Sequence, residues 1–236
     1  MCIRRGGFWV LRSRSDAVRA GSRQRMNADK GATGGHTMTQ GEMVGEFRKT
    51  GALLNGHFEL RSGLHSAEYF QCALLLQFPA VAEKLCRALV EKMRASPAGA
   101  AAVDCVISPA MGGLFVGHEI ARALGTRHIF AEKEAGGLAV RRGFQARKGE
   151  KFIVAEDVVT RGGRVQETID IVEKAGGVVA AVAVLVNRSG GKASFKHPLF
   201  SLLDMEPVTY EPDACPLCRR GEPMAHPGSK GPEAKG

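Results

Sequence analysis

"FIVAEDVVTRGGR", residues 152–164, places four apolar residues ahead of two adjacent acids, two further apolar residues and a glycine-bearing turn. A short apolar run bounded by turn signals reads as a buried strand. Phe152, Ile153, Val154 and Ala155 therefore belong inside a sheet, with Glu156 and Asp157 where the strand emerges. Val158 and Val159 lead into a turn, Thr160, Arg161, Gly162 and Gly163, and then into a helix from about Arg164. Such a turn offers unpaired backbone N–H groups at the positive end of a helix dipole and suits a phosphate. Two carboxylates repel that anion; they suit hydroxyl groups or a metal-bound sugar beside it. A ribose carrying a 5′-phosphate meets both demands. The alternative is an ordinary strand-to-helix junction with an acid as its cap. Neither G-x-x-x-x-G-K-S/T nor G-x-G-x-x-G occurs in the chain, which argues against a P-loop or a dinucleotide fold.

The flanking sequence repeats the same pattern. "VDCVIS" (103–108), "RHIFAE" (127–132), "VVAAVAVLV" (178–186) and "LFSLLD" (199–204) are apolar runs of strand length. Between them lie helical patterns: one from Glu42 to Lys49 ending at Gly51, one that opens at Pro79 with Val81, Leu85, Leu89 and Met93 on a face, one running through Leu124, and one from about Arg164 to Ala175 stopped by Gly176 and Gly177. Short apolar runs alternating with helices imply parallel strands covered on both faces, an α/β domain. Right-handed crossovers then put the strand ends, and any ligand, along one carboxyl edge. Residues 57–71, "HFELRSGLHSAEYFQ", alternate like strand, turn and strand.

Composition limits the remaining choices. No stretch approaches the run of about eighteen apolar residues that a membrane span requires. The formal net charge of +9 suggests nucleic acid until it is located. Residues 1–25 hold seven arginines (Arg4, Arg5, Arg12, Arg14, Arg19, Arg23, Arg25) against one acid, Asp16, so about two thirds of the excess sits there and the rest is close to neutral. Residues 1–38, rich in Gly, Ser and Arg, read as a disordered basic tail. A transit peptide and a translation start at Met26 or Met38 are the alternatives. Six scattered cysteines lack the density of a disulfide scaffold and point to a reducing cytoplasm, with no nucleic-acid and no membrane partner.

The stretch 152–164 resembles the phosphoribosyl pyrophosphate (PRPP) motif of type I phosphoribosyltransferases: four apolar residues, two acids, two apolar residues, then Thr-x-Gly-Gly. "LRSGLHSAEYFQ" (60–71) resembles the N-terminal hood of the orotate-using branch, and "LVNRSGG" (185–191) the strand end that carries its base-contacting arginine. The similarity runs from about residue 40 to the "CPLC" tail. It implies one phosphoribosyltransferase domain over 39–236: a central parallel sheet flanked by helices, a hood at about 39–75 and a C-terminal tail at about 207–236.

By resemblance, Glu156, Asp157 and the segment Val158–Arg164 bind PRPP, with Asp157 and Lys133 in catalysis. "SPAMGGLFVG" (108–117) resembles the pyrophosphate loop, with Ala110, Met111, Gly112 and Gly113 as its binding residues; it lacks a lysine found in many relatives. "FAEKEAGGLAVRRGF" (130–144) corresponds to the mobile catalytic loop, with Lys133 matching a family lysine. Arg141 and Arg142 either substitute for a further lysine and histidine or belong to a solvated charged hairpin. Arg188 and Thr160 would contact orotate, Tyr69 and Phe70 would wall the base, and Arg61 stands where the family has a lysine. Arg161 and Arg164 replace small polar residues of the family turn. The resemblance further implies Mg²⁺ held mainly through PRPP, with no protein-held metal, and a homodimer in which the loop reaches the partner's site. Cys215 and Cys218, with His226 nearby, fall short of the four ligands that a structural zinc takes; a loop or reactive thiol pair is the competing reading. Two rival functions share these features, a purine phosphoribosyltransferase and a non-catalytic PRPP sensor. Arg188 and the hood weigh against the first, Lys133 against the second.

Overall fold

In a computed structural model of the chain, residues 38–226 are described except Arg61, Ala100, Glu206 and Pro207. The basic tail over residues 1–37, the substrate role of Arg61 and the last ten residues lie outside the described residues. In chain order the elements are α1 (Gln40–Lys49), β1 (Leu53–Glu59), β2 (His65–Phe70), α2 (Cys72–Leu76), α3 (Pro79–Arg94), β3 (Cys105–Pro109), α4 (Gly113–Leu124), β4 (Arg127–Glu134) and β5 (Gly137–Val140). There follow β6 (Lys151–Val159), α5 (Gly163–Lys174), β7 (Val178–Asn187), β8 (Leu199–Asp204), β9 (Thr209–Tyr210), α6 (Pro216–Arg219) and β10 (Met224–Ala225).

Six strands form the main sheet in the order β5-β4-β3-β6-β7-β8. Five are parallel, and β5 runs antiparallel to β4. The period of two along a strand explains the unbroken apolar run of β6. Phe152 and Val154 face one cluster with Val165, Ile169 and Val172 of α5, while Ile153 and Ala155 face another with Leu85, Leu89 and Met93 of α3 and Ile120 of α4. Both faces are covered, so both sets must be apolar.

Local signals account for most helix ends. Thr39 and Glu42 form a reciprocal capping box, which starts α1 at Gln40 rather than at Glu42. Met38, assigned by composition to the tail, is buried with the core. Pro79 opens α3, whose buried face is Ala82, Leu85, Cys86, Leu89, Val90 and Met93; Val81 packs only at its margin. Gly125, at φ +70, stops α4.

A second sheet, in the order β10-β1-β2-β9, makes the hood. Its centre is the antiparallel pair β1 and β2, and the C-terminal segment supplies both edges. Residues 209–225 are thus woven into the hood, a partnership that neither segment's own sequence announces.

Candidate active site

The acidic pair lies within β6. The strand continues past both acids to Val159 because β7 runs alongside it, pairing Glu156 with Val184 and Val159 with Asn187. Glu156 is buried at 6% exposure and Asp157 is half-buried. Burial, and then the adjoining Asp157 carboxylate, hold Glu156 well above the ordinary carboxylate range. Burial likewise raises Asp157, against hydrogen bonding that lowers it. Each carboxylate accepts a backbone N–H: Asp157 N–H donates to Glu156 Oε1 at 3.1 Å and Val158 N–H to Asp157 Oδ1 at 2.8 Å. The pair is fixed in place while short of positive charge, a state that hydroxyl donors or a cation would relieve.

The turn after β6 is shaped by Gly162, which has φ +77; a Cβ there would meet the Phe195 ring at 2.7 Å. No residue with a side chain fits both the angle and the space. The bond from Gln166 N–H to the Gly162 carbonyl, 2.9 Å, belongs to the first turn of α5, so the N–H groups ahead of it lack intrahelical partners. Thr160 and Arg161 are exposed at this turn.

The second loop, Ala110–Gly113, packs directly against the acids. A Cβ on Gly112 would stand 2.8 Å from Asp157 Oδ1, and one on Gly113 would stand 3.1 Å from Glu156 Oε1 and 3.0 Å from the Ser108 Cβ. These glycines therefore let the loop backbone approach the carboxylates. Ala110 N–H donates to the Ala131 carbonyl at 2.7 Å, which fastens the loop to the end of β4. Arg164 spans the two loops, donating from Nη1 to the Ala110 carbonyl at 3.0 Å. This bridge joins residues 54 positions apart, so no local pattern announces it.

Arg188, at the end of β7, meets the hood. Its Cζ lies 5.6 Å from the Phe70 ring centroid and 6.0 Å from that of Tyr69, within reach of cation–π attraction. Its backbone N–H donates to the Val159 carbonyl at 2.8 Å, tying this corner to the β6 turn. Burial pushes its pKa down, yet its Nε is buried without a hydrogen-bond partner among the described residues. An unsatisfied buried donor of this kind calls for a further acceptor, a water or a ligand oxygen. Phe70 also packs edge-on to Phe47 at 5.5 Å, so it is core and wall at once.

Lys133 stands apart from this group. It is exposed on the hairpin of β4 and β5, opposite Leu138, and makes no ion pair among the described residues. Arg141 and Arg142 pair with Glu132 and Glu134 of the same hairpin, and Arg142 also lies over Phe130. These are the contacts that a solvated charged hairpin makes. The hairpin end is fastened to α5 by the Leu138 N–H, which donates to Glu167 Oε1.

β6 thus carries a buried and a half-buried acid just ahead of a glycine-shaped turn, with a second glycine loop packed against both. Residues 75–212 match the family model described as the phosphoribosyl transferase domain, and the chain belongs to that family. Within it the chain groups with the orotate phosphoribosyltransferases. It is 48% identical over 193 residues to the orotate phosphoribosyltransferase of Pelotomaculum thermopropionicum, covering 82% of this chain and 99% of that one. It is 50% identical over 184 residues to that of Caldicellulosiruptor saccharolyticus, covering 78% and 94%. The crystal structure of orotate phosphoribosyltransferase from Aeropyrum pernix superposes with a TM-score of 0.59 at 25% identity, over 70% of this chain and 94% of that one.

Proposed function

We propose that this chain transfers the 5-phosphoribosyl group of PRPP to orotate, giving orotidine 5′-phosphate and pyrophosphate; its relatives are named orotate phosphoribosyltransferases. The observation that carries the reading is the contiguity of three subsites: the paired acids of β6, the glycine loop against them, and Arg188 over Tyr69 and Phe70.

In this reading Asp157 and Glu156 accept hydrogen bonds from the vicinal hydroxyls of the ribose, and the backbone N–H groups of 160–164 take its 5′-phosphate. Ala110–Gly113 present backbone to the pyrophosphate, held in register by Arg164. Arg188 supplies planar, paired donors to the anionic edge of orotate, with Tyr69 and Phe70 as the apolar wall and Thr160 at the mouth. The base is then positioned for N1 to attack C1 as the C1–O bond to pyrophosphate breaks. The ribose becomes cation-like in that step, so the acids below it stabilise the transition state more than the ground state. No side-chain nucleophile is needed. Lys133 meets the charge that develops on pyrophosphate when the hairpin closes.

The donor set suits Mg²⁺ arriving with PRPP: carboxylate oxygens with raised pKa values beside a glycine loop that lacks a lysine. Asp157 and Glu156 would hold it, directly or through the ribose hydroxyls, and when bound it supplies positive charge to the pyrophosphate oxygens. The chain acts as a homodimer in the cytoplasm, each hairpin serving the partner's site. Among the described residues no helix is long and apolar enough to cross a membrane.

The test is an ultraviolet assay of PRPP-dependent orotate consumption beside adenine, guanine and hypoxanthine. Orotate loss with stoichiometric pyrophosphate release supports the reading; turnover of a purine in its place, or of none, refutes it.

A further inference from the structure

Away from the active site, at the seam between the hood and the C-terminal segment, four side chains converge. They are His57 of β1, His65 of β2, Cys215 at the start of α6 and Cys218 within it; their ligand atoms all lie within 4.8 Å of one another. His57 Nε2 stands 3.0 Å from His65 Nδ1, 3.7 Å from Cys215 Sγ and 3.5 Å from Cys218 Sγ, and Cys218 Sγ stands 3.2 Å from His65 Nδ1. Tetrahedral zinc with ordinary Zn–N and Zn–S bonds separates its ligand atoms by about 3.3–3.8 Å, so these four separations match such a site to within a few tenths of an ångström, and the remaining two, from Cys215 to Cys218 and to His65, lie within 4.8 Å.

The protonation pattern agrees. His57 Nδ1 lies 2.9 Å from the Glu222 carbonyl, an acceptor only, so that nitrogen carries the proton and Nε2 turns its lone pair toward the thiols. A carbonyl behind a ring nitrogen is the usual support for a metal-bound imidazole. His57, His65 and Cys215 are buried, and Cys218 is exposed. Two soft sulfurs and two imidazoles select zinc over the hard Mg²⁺ of the active site. Composition alone offered the two cysteines and His226. In the structure His226 pairs with Glu59 at 3.0 Å, and the missing ligands come from the hood hairpin instead.

We infer that His57, His65, Cys215 and Cys218 form a structural zinc site that pins the C-terminal segment to the hood. Both histidines sit opposite tail strands, His57 beside Met224 of β10 and His65 beside Tyr210 of β9. A metal here closes a loop of some 150 residues, a tie that contact between short two-residue strands could not provide alone. Because His65 shares β2 with Tyr69 and Phe70, the zinc also holds the wall of the base pocket in place.

The experiment uses the full chain, tag removed, from zinc-supplemented culture in reducing buffer, with metal measured by mass spectrometry. One zinc per chain is expected; a content below about 0.2 after desalting overturns the inference, since a structural Cys₂His₂ site does not release its metal so readily. Glu156→Gln should keep its full zinc, and loss there would move the metal to the active site and overturn the assignment. The double variant Cys215→Ser, Cys218→Ser should hold none. Should that variant fail to fold, Co²⁺ exchanged into the wild-type chain decides. Intense visible bands with thiolate charge transfer support the site, and the weak spectrum of octahedral cobalt overturns it.

Discussion

Replacing Glu156 by glutamine should stabilise the unliganded protein while disabling it. Ionising Glu156 puts a charge in a buried position beside Asp157, where among the described residues Arg164 lowers its pKa. Every unit by which burial raises a carboxylate pKa destabilises the fold by about 1.4 kcal/mol at higher pH. Glutamine has the same shape, and its carbonyl can still accept the Asp157 N–H that Glu156 Oε1 accepts at 3.1 Å. Removing the charge should therefore raise the Tm of the unliganded protein. The pH dependence has a definite sign. A carboxyl with a raised folded pKa leaves the native state holding more protons than the unfolded one, so stability falls as pH rises from the ordinary carboxylate range through the raised pKa, and is flat above it. The variant should show a shallower fall. Its kcat/KM for PRPP should drop by about 10–150-fold, the worth of a charge-assisted bond of 1.5–3 kcal/mol. Thermal melts across pH without PRPP or Mg²⁺, paired with kinetics, provide the check. A variant no more stable than wild type at neutral pH, with an unchanged pH slope, would refute the account of the acids.

Gly112→Ala should lower kcat/KM for PRPP at least about tenfold with little change in Tm, since its Cβ would displace the Asp157 carboxylate from 2.8 Å; wild-type kinetics would show that the loop has room to spare. Arg188→Ala should raise the KM for orotate by about 10–150-fold and leave that for PRPP within about threefold; equal loss for both substrates would remove it from the base pocket. Lys133→Ala should reduce kcat more than PRPP affinity, which isothermal titration beside single-turnover rates can separate; a pure affinity loss would count against its role at the leaving group. Arg161→Thr, at an exposed position, should change the KM for PRPP by less than about threefold, whereas Arg164→Ser, which breaks the bond to the Ala110 carbonyl, should raise it more; the reverse order would mean that Arg161 turns inward.

Much of the main sheet was legible because its determinants are local. The run 152–155 had to be a doubly covered strand, Pro79 had to open a helix, and Thr160–Gly163 could only be a turn into α5, each from residues within a few positions of one another. The PRPP motif is itself one such contiguous stretch, so the acids and the turn were found together. Where residues 209–225 meet β1 and β2, local pattern was silent. Nothing in "VTY" or "PMA" names β1 or β2 as a partner, and a two-residue strand has no period to read. The hood edges exist only because tertiary contact supplies the other strand. The bond from Arg164 to the Ala110 carbonyl likewise forms only because the fold brings the two loops together. The same holds for His57 and His65, ordinary strand histidines by their neighbours. Only the return of the chain, some 150 residues later, sets them against two cysteines, and a coordination shell is a property of that meeting in space, since its ligands share no stretch of sequence.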